Sequence, residues 1–204
     1  YENRKNNEKL FFMGITMQNH GGYTETYDNF PENYYKVGRS YTDANQYLSL
    51  VHESDEAVKN LISYFSKVDD PVEIIFFGDH QPSLNSNFYP ILNGKGLTGL
   101  TEDELEKLYT VPFFIWTNYD TPEETVDITS LDYLSTMALE RAGIELPAYN
   151  KFLADMQEVV PAINSRGYYS KSAGGFLHIE EATGEEADWI RNYNILQYNN
   201  MFDK

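Results

Sequence analysis

The apolar run at residues 72–77, followed at once by Gly78-Asp79-His80, constrains the fold of this chain more than any other feature. A short run dominated by β-branched and aromatic residues predicts a buried strand. In α/β sheets, ligands bind in the crevice beyond the strand ends. An adjacent carboxylate and imidazole at such an end form one half of a plausible metal site. The alternative is structural, with Asp79 capping a turn and His80 binding a loop carbonyl.

A second apolar run, at residues 10–17, predicts another buried strand, and it leads to His20 and two glycines. Because the carboxyl ends of parallel strands meet at one edge of a sheet, we expect His20 to lie near Asp79 and His80. The alternative is an ordinary histidine in a glycine turn. His52, within a predicted helix, and His178, in a predicted hairpin, are expected to be structural.

The remaining chain alternates between helical and extended patterns. The spacing of apolar residues predicts helices at 42–68, 101–109, 130–142, 149–160 and from 183 onward, a third strand at 111–116, and a hairpin at 167–179. This order predicts an α/β fold with a mostly parallel sheet flanked by helices. We expect residues 1–204 to be part of one domain, with an α/β core over about 1–160 and a C-terminal hairpin and helix beyond it.

Charge and composition exclude several classes of function. The 32 acidic residues exceed the 15 basic ones by 17, which argues against a nucleic-acid partner because phosphate backbones attract basic surfaces. An anionic substrate would need a local positive charge, which a bound metal could supply. The absence of cysteine excludes disulfides and thiolate zinc sites. Since the chain begins at Tyr1 without Met, we expect it to be a piece of a longer protein.

Two further patterns bear on function. Aromatic residues crowd one loop, where they could stack on sugars, face lipid or pack locally over a core: Tyr23, Tyr27, Phe30, Tyr34, Tyr35 and Tyr41. The chain has no Walker-type phosphate loop, no G-x-S-x-G motif and no H-E-x-x-H motif. No serine or threonine stands in a context that marks it as a nucleophile.

The segments at residues 14–23 and 76–84 resemble the C-terminal half of the lipoteichoic acid synthase-like sulfatases, a branch of the alkaline phosphatase superfamily. The resemblance covers nearly the whole chain. It implies that Asp79 and His80 are metal ligands, for manganese first, with magnesium or zinc as alternatives. It also implies that His20 contacts the substrate phosphate. The family's glutamate ligand and threonine nucleophile precede the position where this chain begins, so we expect no catalytic nucleophile here and an inactive isolated fragment.

The resemblance implies an extracellular, metal-dependent phosphoglycerol transferase or sulfatase-like enzyme of cell-envelope polymer metabolism. Its substrate would be a phosphoglycerol lipid or another anionic phosphate or sulfate ester. The parent protein would be anchored in the bacterial cell membrane through a missing N-terminal region. Two alternatives stay open: a sulfatase or phosphoethanolamine transferase of the same superfamily, or a non-catalytic module that binds glycans through the tyrosine-rich loop.

Overall fold

The computed structural model describes residues 1–5, 8–25, 27–28, 30 and 41–202. These residues form helices and strands in mixed order: α1 Thr42–Phe65, β1 Glu73–Phe77, α2 Tyr89–Asn93, α3 Glu102–Glu106, β2 Phe113–Thr117, α4 Leu131–Arg141, α5 Ala148–Val159, β3 Gly167–Ser170, β4 Gly175–His178, a 3-10 turn Ile179–Glu181, and α6 Gly184–Phe202. In this part of the chain, no helix combines the length and apolar character that crossing a bilayer requires.

The chain divides into two compact units. The first unit comprises Tyr1–Leu61 and Pro82–Gly94, and the second comprises Ile62–Gln81 and Lys95–Lys204. The first unit therefore holds most of α1, all of α2 and the His20 segment. The second unit holds both sheets and the Asp79-His80 pair.

In the first unit, α1 organises the loops around it. The Tyr41 ring lies 5.5 Å from that of Phe88, and the Asp43 carboxylate accepts the Asn85 N–H at 2.6 Å. The predicted strand at residues 10–17 is wrong: among the described residues, this segment belongs to no helix and no strand. Its aromatic side chains lie in solvent, with Phe11 93% exposed. A strand needs a neighbour for its backbone hydrogen bonds, and no described segment supplies one here.

The sheet of the second unit pairs β1 with β2, and the pair is antiparallel, with Glu73 opposite Thr117 and Phe77 opposite Phe113. The α/β class is confirmed, but the predicted parallel direction is wrong for these strands. Because β2 begins opposite the residue where β1 ends, the connection between them starts and finishes at the same end of the strand pair. A parallel pair would instead require the connection to cross to the opposite end of the strands before β2 begins.

Asn118, just after β2, ties the sheet to the end of α1. Its side-chain oxygen accepts the Val72 N–H at 2.7 Å. The two hydrogens of its amide group are shared among three carbonyls, at 3.3 Å to Phe65, 2.9 Å to Val68 and 2.9 Å to Asp70. One partly buried side chain therefore satisfies four backbone groups of the turn that leads into β1.

The main hydrophobic core of the second unit lies where α4, α5, β3 and α6 meet. Its buried members are Tyr133, Leu153, Met156, Val160, Ile163, Tyr168, Ile190 and Tyr193. The Tyr133 hydroxyl donates to the Val160 carbonyl at 2.7 Å, and burial raises the pKa of Tyr133, so this hydroxyl stays protonated as a donor. Residues on both sides of Pro161 build this core together.

Several local predictions about element ends are confirmed. Thr101 and Glu104 form a reciprocal capping box at the start of α3. Gly143 follows α4 with φ +67°. The Gly143 N–H donates to the Glu140 carbonyl and the Ile144 N–H donates to the Leu139 carbonyl. These two hydrogen bonds define a Schellman motif. The hairpin around Gly174 is formed by β3 and β4.

Candidate functional site

The Asp79-His80 pair follows β1 after a single glycine. The Gly78 N–H donates to the Pro112 carbonyl at 3.2 Å, which extends the ladder by one step. A Cβ added to Gly78 would stand 3.0 Å from the Cβ of Val111, closer than carbon atoms normally pack. Glycine is thus the residue that lets the end of β1 lie against residues 109–112, directly before Asp79.

His80 is oriented by its own neighbours. Its Nδ1 lies 2.9 Å from the Gln81 carbonyl oxygen. Because a carbonyl oxygen only accepts, Nδ1 carries the hydrogen, and in the neutral ring Nε2 keeps its lone pair. Metal-binding histidines are commonly oriented by this kind of second hydrogen bond. The ring is therefore in the tautomer that presents Nε2 as a ligand atom.

Asp79 faces the same histidine with one of its two oxygens. Its Oδ1 accepts the His80 backbone N–H at 2.9 Å, and its Oδ2 lies 3.7 Å from His80 Nε2. Two ligand atoms on one ion with bonds of about 2.1 Å stand roughly 3.0–3.4 Å apart. Since the side chains of Asp79 and His80 are 79% and 70% exposed, a small rotation closes that gap. The pair fits a divalent ion with oxygen and nitrogen ligands.

Asp79 Oδ1 accepts the His80 backbone N–H, and His80 Nδ1 donates to the Gln81 carbonyl. These are the turn contacts that a purely structural role would also make, and they are compatible with metal binding. Oδ1 and Nδ1 are used within the turn, while Oδ2 and Nε2 face each other. Across the described ranges, no group of three or more histidine and carboxylate side chains is arranged to hold an ion. A metal site built on Asp79 and His80 would therefore need further ligands.

His20 lies in the first unit, exposed in a turn where its N–H donates to the Met17 carbonyl at 3.1 Å. Two neighbours fix this turn. The Asn19 side chain accepts from Ser54 of α1 at 3.0 Å, and the Tyr23 hydroxyl donates to the Asn19 carbonyl at 2.7 Å. We expected His20 and Asp79 to follow two strands of one sheet. Because residues 10–17 form no strand, that argument for placing them together no longer applies. The role of His20 in phosphate binding stays a prediction.

The tyrosine-rich loop has mixed environments. Tyr23 is buried, with its ring edge-on to Tyr47 at 5.4 Å, and Tyr41 packs against Phe88. Tyr27 is exposed, and Tyr34 and Tyr35 lie outside the described residues. Tyr23 and Tyr41 therefore pack locally over neighbouring residues, as the structural alternative for this loop proposed.

The structural role predicted for His178 is confirmed. Its Nδ1 accepts the Glu180 N–H at 3.3 Å, and its own N–H donates to Glu181 at 2.9 Å. These reciprocal bonds cap the 3-10 turn after β4. His52 lies within α1 as expected.

The sequence motifs did not single out Gln81 as a supporting residue. Its side-chain amide donates to the Thr110 carbonyl, on the segment that Gly78 also contacts. Gln81 thus braces the turn through its side chain and accepts from His80 through its backbone. Its position directly after the Asp-His pair was the available signal, but the partner at Thr110 is visible only in the folded chain.

Comparison with known proteins identifies relatives in carbohydrate metabolism. The chain is 26% identical, over 97% of its length, to the "Putative cyclic beta-1,2-glucan modification protein" of Rhizobium meliloti (strain 1021), of which it covers 32%. It is 35% identical over 79 residues, 39% of the chain, to the "Capsular polysaccharide biosynthesis protein RkpI" of the same organism, covering 13% of that protein. The chain therefore spans about a third of the first relative and less of the second.

The fold matches a solved structure and the sequence matches a family model. The structure of Streptococcus pyogenes phosphoglycerol transferase GacH, in complex with sn-glycerol-1-phosphate, superposes with a TM-score of 0.62 over 91% of this chain and 42% of that one, at 16% identity. This likeness confirms the alkaline phosphatase-like fold. The family model named Sulfatase matches residues 1–144, a range that contains His20, Asp79 and His80. The chain belongs to the sulfatase family.

Proposed function

We propose that this chain is part of an enzyme that transfers a phosphoglycerol group from an anionic ester donor to a cell-envelope polysaccharide. The observation that carries the proposal is the Asp79-His80 pair, whose Oδ2 and Nε2 face each other at the end of β1 in a sulfatase-family chain. The donor chemistry is suggested by the glycerol phosphate bound to GacH. The acceptor chemistry is suggested by the glucan and capsule relatives.

A divalent ion bound at this pair would supply positive charge for the phosphoryl oxygens and acidify a hydroxyl nucleophile. The residues of this chain have separate tasks in that reaction. Asp79 contributes a carboxylate oxygen, and His80 contributes Nε2 in the tautomer set by Gln81. His20 would donate a hydrogen bond to a non-bridging phosphate oxygen, which offsets charge that develops there. In a chain with a formal charge of −17, such local positive groups are needed to hold an anion.

The proposal includes the rest of the parent protein. Manganese is the expected ion, and the parent would face outward from the cell membrane on an N-terminal anchor. The nucleophile and a further ligand would come from outside residues 1–204. The isolated chain is therefore expected to show no transfer activity, and phosphodiester turnover by it with added manganese would contradict this part of the proposal.

The proposal is tested by transfer from a labelled phosphoglycerol lipid to a gluco-oligosaccharide, with the parent protein and manganese. We expect labelled oligosaccharide with the wild type and a loss of at least about 100-fold with Asp79→Asn, because removing a ligand charge weakens the site. His178→Gln, which alters a histidine outside the site, is the matched control and should retain activity. Equal transfer by Asp79→Asn and wild type would refute the proposal.

The name of the matching family model favours sulfate ester hydrolysis as a second candidate. A metal site of carboxylate and imidazole serves sulfate and phosphate esters alike, because both place negative charge on non-bridging oxygens. Release of sulfate from sulfated oligosaccharides by the parent protein, with no transfer of phosphoglycerol, would select this alternative.

A further inference from the structure

Tyr109 directly precedes the segment that contacts the turn of the candidate metal ligands in the second unit. Gln81 holds the Thr110 carbonyl and Gly78 holds the Pro112 carbonyl, so the segment that begins at Tyr109 runs along the turn that carries Asp79 and His80. The Tyr109 N–H closes the end of α3 by donating to the Glu106 carbonyl at 2.9 Å. Its side chain is 57% exposed. An exposed aromatic ring thus comes directly before the segment that contacts the turn of the proposed metal ligands.

Arg166 holds a cation over this ring. Its Cζ lies 5.7 Å from the Tyr109 ring centroid, within the range of a cation–π contact. The backbone of Arg166 is fixed, because the Asn164 side chain accepts the N–H groups of Arg166 at 2.8 Å and of Gly167 at 2.9 Å. Asn164 in turn donates to the buried carboxylate of Glu106. The element that ends at Tyr109 therefore also anchors the turn that presents Arg166.

The guanidinium of Arg166 is available to a ligand. Its ion pair is a 3.5 Å contact with Glu102, and both side chains are about half-exposed. Exposed pairs of this kind add little stability, so a ligand that competes for the guanidinium displaces little. Arg141 differs, since it donates to the Pro122 carbonyl at 2.8 Å and to Glu124. The Tyr109 side chain also hydrogen-bonds to Arg166, so the two side chains are prearranged together. A prearranged pair favours binding because less order is lost on association.

We propose that Tyr109 and Arg166 form a binding site for a neutral sugar ring of the acceptor polysaccharide, an inference that rests on the proposed function. A tyrosine face packs against the apolar C–H surface of a sugar, and the guanidinium offers five N–H donors to its hydroxyls. A neutral sugar is favoured over an anionic one, because a chain with a formal charge of −17 repels an anionic polymer at long range. Because Tyr109 precedes the segment bonded to Gly78 and Gln81, an acceptor held there would be on the side of the chain that carries the proposed metal ligands.

The test is calorimetric titration of the parent protein with a neutral gluco-oligosaccharide. Tyr109→Ala and Arg166→Ala should each weaken binding about tenfold, as expected for anchor residues of a contact surface. Tyr109→Phe should lose less affinity than Tyr109→Ala, because the ring is kept while the hydroxyl that bonds to Arg166 is lost. In the transfer assay, Tyr109→Ala and Arg166→Ala should raise the KM for the acceptor more than they lower kcat.

Matched controls come from the same chain. Tyr198→Ala removes a tyrosine of similar exposure, 61%, and Arg191→Ala removes an exposed arginine paired with Asp188; both should bind the oligosaccharide normally. Wild-type affinity in Tyr109→Ala and Arg166→Ala, equal losses in the controls, or no binding by the wild type would overturn the sugar site. Binding through Tyr109 without any phosphoglycerol transfer would leave the site standing and overturn the proposed function instead.

Discussion

Replacing Gly78 with alanine should displace the end of β1 that carries the proposed metal ligands, Asp79 and His80. The new Cβ would meet the Cβ of Val111 at 3.0 Å and its Cγ1 at 3.3 Å. Carbon atoms pack best at about 3.5–4.0 Å, so the two segments must separate by roughly 0.5–1 Å. Overpacking of this size costs about 1–3 kcal/mol of folding stability.

The same displacement should weaken metal binding by the parent protein. Ligand distances in metal sites are held to about 0.2 Å, and a shift of up to roughly 1 Å in Asp79 exceeds that tolerance. Disturbing the support of a ligand typically costs 10–100-fold in metal affinity. We therefore expect Gly78→Ala to raise the manganese Kd by roughly 10–100-fold, measured by isothermal titration, together with a lower melting temperature.

A rescue and a control separate this effect from a general one. Val111→Gly removes all three contacting atoms, so Gly78→Ala with Val111→Gly should recover metal affinity relative to Gly78→Ala. Gly96→Ala adds a Cβ into open space and should change neither quantity. Wild-type manganese affinity in Gly78→Ala, or a double variant that binds no better than the single one, would refute the reasoning.

Three further predictions concern stability. Asn118→Ala should lower the free energy of unfolding by about 1.5–4.5 kcal/mol in urea titration, since one accepted hydrogen bond and the bonds of two N–H groups, at about 0.5–1.5 kcal/mol each, are lost; a change below about 0.5 kcal/mol would show that they are not needed. Burial raises the pKa of Glu73, and the hydrogen bond that Tyr119 donates to it opposes the shift. The folded state therefore binds the Glu73 proton more tightly than the unfolded state does. Protonated Glu73 contributes its full share of folding stability below the usual carboxyl pKa, and this share is lost as pH rises through the folded-state pKa. Glu73→Gln should abolish that part of the pH dependence, and parallel stability–pH curves for variant and wild type would contradict it. His178→Ala should cost about 0.5–1 kcal/mol through loss of its cap with unchanged manganese affinity, and a weakened metal site would disprove its purely structural role.

Features set by short stretches of sequence were predictable. The apolar spacing of α1 and the capping box before α3 identified both helices, and Gly143 marked the end of α4 because its positive φ suits glycine. The hairpin around Gly174 followed from turn chemistry in the same way. Each of these features depends on interactions among residues that are close in the chain, so a single sequence is enough to predict them.

Strand pairing was not predictable on the same basis. Residues 10–17 and 72–77 have similar apolar runs, yet β1 pairs with β2 while residues 10–17 pair with no described segment. The direction of β2 depends on where the connection of residues 78–112 returns to the sheet. That return is a tertiary property which the alternation of helix and strand patterns does not contain.

The candidate site divides along the same line. Asp79 and His80 were identifiable because they are adjacent at a strand end. The support from Gln81 through Thr110, and the meeting of Tyr109 with Arg166, link positions far apart in sequence. Nothing in the local pattern around Arg166 marks it as a neighbour of Tyr109.

The most direct test is an anomalous-scattering crystal structure of the manganese-loaded parent protein. We expect a manganese peak bonded to an Asp79 carboxylate oxygen and to His80 Nε2 at about 2.0–2.3 Å, with His80 Nδ1 still donating to the Gln81 carbonyl. A peak coordinated by neither Asp79 nor His80, or one bound through His80 Nδ1, would contradict it.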